Sequence, residues 1–349
     1  MIGFFPDIYP DELIYSQLAR YYIQTGYTAY IFAAEDLYVK KTTRPNVEFL
    51  NHFTDDALRV ITRHKTLKEI ILQHTMFPYY GRFLKSERRI KAFNAMMTLE
   101  GNYHDLLSIP LSKNKRYLRY CPVCVTEDRK KYGETYWHRI HQMMGVDICP
   151  VHKCYLLNSE AAISSDYTPG LISCELSVKQ SDSIAFCKNQ LECEVAEYIS
   201  TVFQSTLEIE NRVDIGDFLH SELSFTKYKS VCGNKIYMAL LSEDFKEKFK
   251  SLVDNSFTQR HQIEKVFSSY RTNTYEVCLL AMFLNIPPQK LINLALPEKT
   301  QKELFEEKII TLKNQGLNYR QISERLNASY DYVKLKGGKL CKKNNTSLL

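Results

Sequence analysis

At 349 residues, 44% of them hydrophobic and 25% charged, the chain carries enough apolar material for two or three domains. A formal net charge of +6 is mildly basic, which permits a nucleic-acid partner without requiring one. The longest apolar run, Val277 to Leu284, is far too short to span a bilayer, and Met1-Ile-Gly-Phe-Phe-Pro-Asp has neither the basic start nor the apolar stretch of a secretory signal.

The chain reads as mainly helical. Pro10-Asp11-Glu12 is expected to open a first helix, because proline suits a first turn and carboxylates oppose the positive dipole end. Further helices are predicted over 28–38, 55–64, 67–74 and 86–99, with Thr66 and Ser86 as N-caps of the last two. The Ser-rich stretch 158–183, with Pro169-Gly170, reads as irregular chain or a few short strands, and as a domain boundary. Helices follow at 191–203, 235–242, 244–253, 259–268, 274–284, 288–294 and 302–315. The implied organisation is an N-terminal helical domain over 1–110, a metal module over 111–160, an irregular linker over 161–190 and a helical region over 191–349.

Two short clusters dominate the chemistry: Cys121-Pro-Val-Cys124 and Cys149-Pro-Val-His152. Each spaces two soft ligands by two residues, as a tight knuckle needs to aim both side chains at one ion. Three thiolates and an imidazole suit one tetrahedral Zn²⁺, and four protein ligands leave no position for water, so the ion is expected to be structural. Cys154 competes with His152 for the fourth place, while His138 and His141 read as ordinary polar residues on a helix face, with a catalytic zinc in which one of them replaces a ligand as the minor alternative. The other cysteines, Cys174, Cys187, Cys193, Cys232, Cys278 and Cys341, read as free thiols of a reduced cytoplasm. Basic residues flank the module, among them Lys113, Lys115, Arg116 and Arg119. Tyr117, Tyr120 and Trp137 interleave with the basic residues of the module, a composition that suits phosphate or protein contacts as well as a plain solvated face.

Near the C-terminus, Gln321 to Lys334 fits a helix-turn-helix placed at about 303–337. Ile322, Leu326 and Val333 face inward. Asn327 takes the left-handed turn position and Ser329 caps the second helix. Tyr330, Asp331, Lys334 and Lys336 are left outward near the start of a recognition helix, with Lys339 beyond them, and Gly337-Gly338 is expected to end that helix. A helical hairpin packed inside its own domain would give the same pattern. No G-x4-G-K-S/T, H-E-x-x-H or G-x-S-x-G motif is present, so nothing marks an enzyme.

Three blocks of the chain resemble the TnsD/TniQ transposon target-selection proteins. The first runs from Phe5-Pro6 through Asp11-Glu12-Leu13-Ile14-Tyr15-Ser16 to Leu18-Ala19-Arg20. The second is His74-Thr75-Met76-Phe77-Pro78-Tyr79-Tyr80 with Glu87-Arg88-Arg89. The third is Arg119-Tyr120-Cys121-Pro122-Val123-Cys124, then Tyr132-Gly133-Glu134, Trp137, Cys149-Pro150 and His152. The long helical region after the metal module is more similar to the TnsD branch than to the shortest TniQ proteins, although longer TnsD proteins continue through further DNA-binding segments. The resemblance implies a mainly α fold: a helical TniQ domain with an embedded zinc-knuckle module, then a helical region with a C-terminal helix-turn-helix. It carries the family's zinc quartet onto Cys121, Cys124, Cys149 and His152. It further implies a non-catalytic adaptor that binds double-stranded target DNA and recruits a TnsC-like AAA+ ATPase regulator, which in turn brings the transposase. Tyr330, Asp331, Lys334, Lys336, Lys339, Arg116 and Arg119 are the candidate DNA contacts. The alternative within the family is an adaptor between a guide-RNA effector complex and the transposition machinery, with little DNA affinity of its own. Either protein would be cytoplasmic, and nucleoid-associated when on DNA, with no membrane partner.

Overall fold

The computed structural model describes residues 2–99, 103–109, 116–163, 170–178, 183–224, 226–230, 235–252, 259–269, 272–296 and 301–346, without the side chains of 301, 302 and 339–346. In chain order the first elements are α1 (Ile14–Gln24), α2 (Tyr30–Leu37), α3 (Asp55–Ile61), α4 (Leu67–His74), α5 (Phe77–Gly81) and α6 (Ser86–Met97). They are followed by β1 (Tyr117–Tyr120), α7 (Pro122–Tyr132), β2 (Leu157–Ala162), α8 (Cys174–Ser177) and α9 (Gln190–Gln204). Then come α10 (Ile215–Glu222), α11 (Met238–Phe249), α12 (Arg260–Phe267), α13 (Thr274–Phe283), α14 (Pro288–Asn293), α15 (Gln301–Asn314), α16 (Tyr319–Arg325) and α17 (Tyr330–Thr346). The fold is mainly α, and β1 and β2 form one small antiparallel pair. No helix among the described residues is long and apolar enough to cross a membrane.

The chain divides into two compact units. The first comprises Met1–Arg212, Arg271–Met282 and Pro287–Ile292. Residues 10–12 do not open α1 as expected. Asp11 takes a left-handed backbone (φ 55°), and α1 starts at Ile14. Tertiary pairing overrides the local helix signal: Leu13 N donates to Trp137 O (2.9 Å), and Arg139 N donates to Asp11 O (2.8 Å). The Asp11 carboxylate then takes Arg139 Nε and Ile140 N. Beneath this strip Arg20 bonds the fully buried Glu12 (3.0 Å) and the more exposed Glu134 (2.9 Å). Burial pushes the Glu12 carboxyl up to about 7 against the pull of Arg20.

The predicted caps divide. Thr66 caps α4 in a full capping box with Glu69. Ser86 instead lies inside α6, whose N-cap position is Lys85. Later in the unit, α13 is fastened to α5 through the Thr274 hydroxyl on Tyr79 O, while Thr272 donates to Phe83 O (2.6 Å) just before α13. The stretch read as a linker joins this core as well. Leu171 and Cys174 are buried, and Trp137 Nε1 donates to Ile172 O.

The second unit comprises Val213–Tyr270, Phe283–Ile286 and Asn293–Leu349. The two short helices expected over 235–253 form the single helix α11. Leu241, Phe245 and Phe249 recur every four residues on its buried face, so continuing the helix buries more apolar surface than breaking it. At its C-terminal end α15, α16 and α17 enclose a core of Phe305, Ile309, Leu312, Ile322, Leu326 and Val333. Gly316 (φ 87°) closes α15, and Asn318 opens α16 in a capping box with Gln321. After α16 the turn is a Schellman motif: Asn327 sits at φ 50°, its N–H donates to Glu324 O, and Ala328 N donates to Ser323 O. α16 and α17 are thus joined by a tight turn over the apolar core they share with α15.

One expectation there is corrected. Gly337-Gly338 does not end the last helix, because α17 continues to Thr346. Two glycines cost a helix interior about 2 kcal/mol, but at Gly337 α17 packs against side chains of α15 and α16. A Cβ there would lie 2.6 Å from the Tyr319 ring and 3.2 Å from Ile309. The glycine serves packing rather than termination.

Candidate metal centre and nucleic-acid interface

β1 delivers Cys121 to the start of α7, and the first knuckle is the helix entrance itself. The Cys121 Sγ accepts from Cys124 N (3.4 Å), and Pro122 occupies the first turn, where its missing N–H costs nothing. In the second knuckle Cys149 Sγ accepts from His152 N (3.5 Å). Lys153 turns left-handed (φ 57°), and Cys149 N donates to Cys154 O (2.8 Å). The intervening chain is α7, closed by Gly133 at φ 83°, and a 3-10 turn at Ile140–Gln142.

These turns bring Cys121, Cys124 and Cys149 together, all buried. Their ligand atoms and His141 Nε2 lie within 4.8 Å of one another, a buried group of three thiols and one imidazole able to hold a metal ion. His152 reaches the same thiols: its Nδ1 is 3.5 Å from Cys121 Sγ, 3.2 Å from Cys124 Sγ and 3.8 Å from Cys149 Sγ. Cys124 and Cys149 are 3.9 Å apart. A tetrahedral shell with Zn–S of about 2.3 Å and Zn–N of about 2.0 Å has edges of roughly 3.5–3.8 Å, so the donors fit such an ion. Hydrogen bonding from Cys124 holds the Cys121 thiol well below its usual range, while the Cys121 and Cys149 thiols raise Cys124.

Two histidines thus address three thiols, and their remaining nitrogens distinguish them. His152 Nε2 lies 3.1 Å from the Glu127 carboxylate, the outer partner that orients a metal-binding imidazole. His141 Nδ1 is buried with no hydrogen-bond partner. His141 Nε2 stands 3.5 Å from Cys124 and 3.8 Å from Cys149. Its placement corrects the reading of an ordinary polar residue on a helix face. His138, also read that way, bonds Asp128 (2.9 Å) outside the thiol group. Cys154 Sγ is 3.3 Å from Cys121.

Residues 3–156, which enclose this centre, match the family model described as TniQ. This stretch is similar to a TniQ domain, and the match covers less than half of the chain. The chain is also similar to the transposon Tn7 transposition protein TnsD of Escherichia coli, with 31% identity over 157 residues, 42% of this chain. That alignment spans 30% of the relative's length.

Within residues 3–156 both candidate phosphate-binding arginines have internal partners. Arg116 forks onto Glu48 (2.6 and 3.1 Å) and reaches the Tyr80 hydroxyl. Arg119 donates to Val146 O, Met143 O and Asp147, and burial lowers its pKa. Arg116 ties the start of β1 to Glu48 and α5, whereas Arg119 closes β1 onto residues 143–147 of the same module. Lys113 and Lys115 lie outside the described residues, as does Cys232; so does the side chain of Cys341.

Beyond that stretch, Tyr330, Asp331 and Lys334 are exposed along the start of α17. Lys336 instead pairs with Glu306 (2.8 Å) and is only 22% exposed, while the side chain of Lys339 lies outside the described residues. His141 carried no spacing signal, because its approach to the thiols depends on a turn packed from outside the knuckles. Glu127 did carry one, since three residues after Cys124 on a helix is the same face.

Proposed function

We propose that this chain is a non-catalytic target-selection protein of a Tn7-like transposon. In this reading Cys121, Cys124, Cys149 and His152 hold one structural Zn²⁺, which when bound supplies folding free energy to the module. Cys121 and Cys149 each anchor a turn whose backbone N–H points at their sulfur, and Glu127 orients His152. A filled four-ligand shell suits structure rather than hydrolysis. The observation that carries the functional reading is the stretch that matches TniQ joined in one chain to the α15–α17 unit, which we read as a helix-turn-helix, with Lys334 exposed on α17. The stretch that matches TniQ would recruit a TnsC-like AAA+ ATPase, and through it the transposase, while α17 contacts double-stranded target DNA in the cytoplasm.

The test is duplex binding by the zinc-loaded full chain across a salt series, comparing the element's insertion-site region with scrambled DNA. A preference for the true site with a steep salt slope supports the reading. Equal, weak binding to both would overturn direct target reading and leave an adaptor guided by a partner such as an RNA-directed complex. ATPase recruitment is tested by co-purification with the regulator encoded beside the element.

A further inference from the structure

α17 presents two unlike faces. Inward lie Val333, Gly337 against the Tyr319 ring, and Lys336 paired with Glu306. Outward, at helical spacing, lie Asp331, Lys334, Leu335 and Gly338. Leu335 is 55% exposed, in the middle of a face that is otherwise polar or bare. Gly338 follows it by three residues and Lys334 by four, so the three positions adjoin on the helix surface. A Cβ built at Gly338 meets nothing within 4 Å. Internal packing therefore explains Gly337 but not Gly338, and it does not explain the exposed leucine.

The major groove displays one apolar group, the C5-methyl of thymine, and every other edge there is a donor or acceptor. An aliphatic side chain flanked by a lysine for the phosphates and a glycine that lets the backbone come close is complementary to that groove. Resting on the DNA-binding reading above, we propose that Leu335 reads a thymine methyl in the target site and that Gly338 is the position of closest approach. Asp331, one turn earlier on this face, suits a cytosine N4 donor and disfavours a phosphate there, which places the leucine over bases rather than over the backbone.

The experiment uses the zinc-loaded full chain and duplexes tiling the insertion-site region, with thymines replaced singly by deoxyuridine, which lacks only the methyl. At one or two positions the wild-type chain should lose about fourfold in affinity, equivalent to the roughly 0.8 kcal/mol of one buried methyl-sized group. L335A should bind the thymine and deoxyuridine duplexes equally at those positions, with an unchanged melting curve because the side chain is exposed. K334A should weaken binding to every duplex yet keep the discrimination. Equal sensitivity to deoxyuridine in wild type and L335A, or no sensitivity at any position in a chain that still prefers its site, overturns the role of Leu335 alone. Absence of site preference overturns both this role and the DNA-binding reading.

Discussion

His152 and Glu127 form the outer edge of the metal centre, the imidazole Nε2 lying 3.1 Å from the carboxylate while Nδ1 faces three thiols. Outer carboxylates of this kind are worth about 10–100-fold in metal affinity. E127Q is therefore expected to lower zinc affinity at least tenfold in a competition titration against a chromophoric chelator. H152A should lower it further, and H141A should leave a competent site. A larger loss in H141A than in H152A would move the fourth ligand to His141.

The adjacent glycines of α17 should respond oppositely to alanine. Gly338 is open, so G338A gains helix propensity and should stabilise the fold by about 0.5–1 kcal/mol. G337A places a methyl 2.6 Å from the Tyr319 ring and should destabilise by about 1 kcal/mol or more despite the same gain. Urea denaturation of the two variants reads the difference in sign.

The two candidate lysines separate in the same way. Lys334 is exposed, so K334A should lower the slope of log affinity against log salt by about 0.9 and leave stability alone. Lys336 is ion-paired with Glu306 inside the three-helix unit, so K336A should change the salt slope less and lower the melting temperature more.

His74 makes the stability of the first unit pH-dependent. Its Nδ1 bonds Glu12 O (2.8 Å), its Nε2 has no hydrogen-bond partner, and burial lowers its pKa from the usual 6.5 to about 4. The denatured chain therefore takes up this proton first. The stabilisation is complete above pH 6.5 and is lost as pH falls towards 4, by a total of about 3 kcal/mol. Denaturation of wild type and H74Q at pH 7.5, 5.5 and 4.5 should show the steeper decline in wild type.

What the sequence disclosed follows from how local each cause is. α4 was legible to the residue, because Thr66 and Glu69 form a box within four positions. Both knuckles were legible, because each is a turn of four residues. The start of α1 was not, because Asp11 answers to Arg139 and Ile140, more than a hundred residues on. The length of α17 was not, because the space that Gly337 leaves is filled by Tyr319 and Ile309 of other helices. His141 and the internal partners of Arg116 and Arg119 are tertiary in the same sense.

Residues 10–13 and 137–140 are stitched together across separations of up to 129 positions. A ribosome adds about 5–20 residues per second, so the first helix leaves the exit tunnel on the order of ten seconds before its binding strip exists. During that interval the Leu13 N–H and the Asp11 carbonyl and carboxylate lack their partners at residues 137–140. The packing around α1 is therefore completed only once the knuckle region has been made.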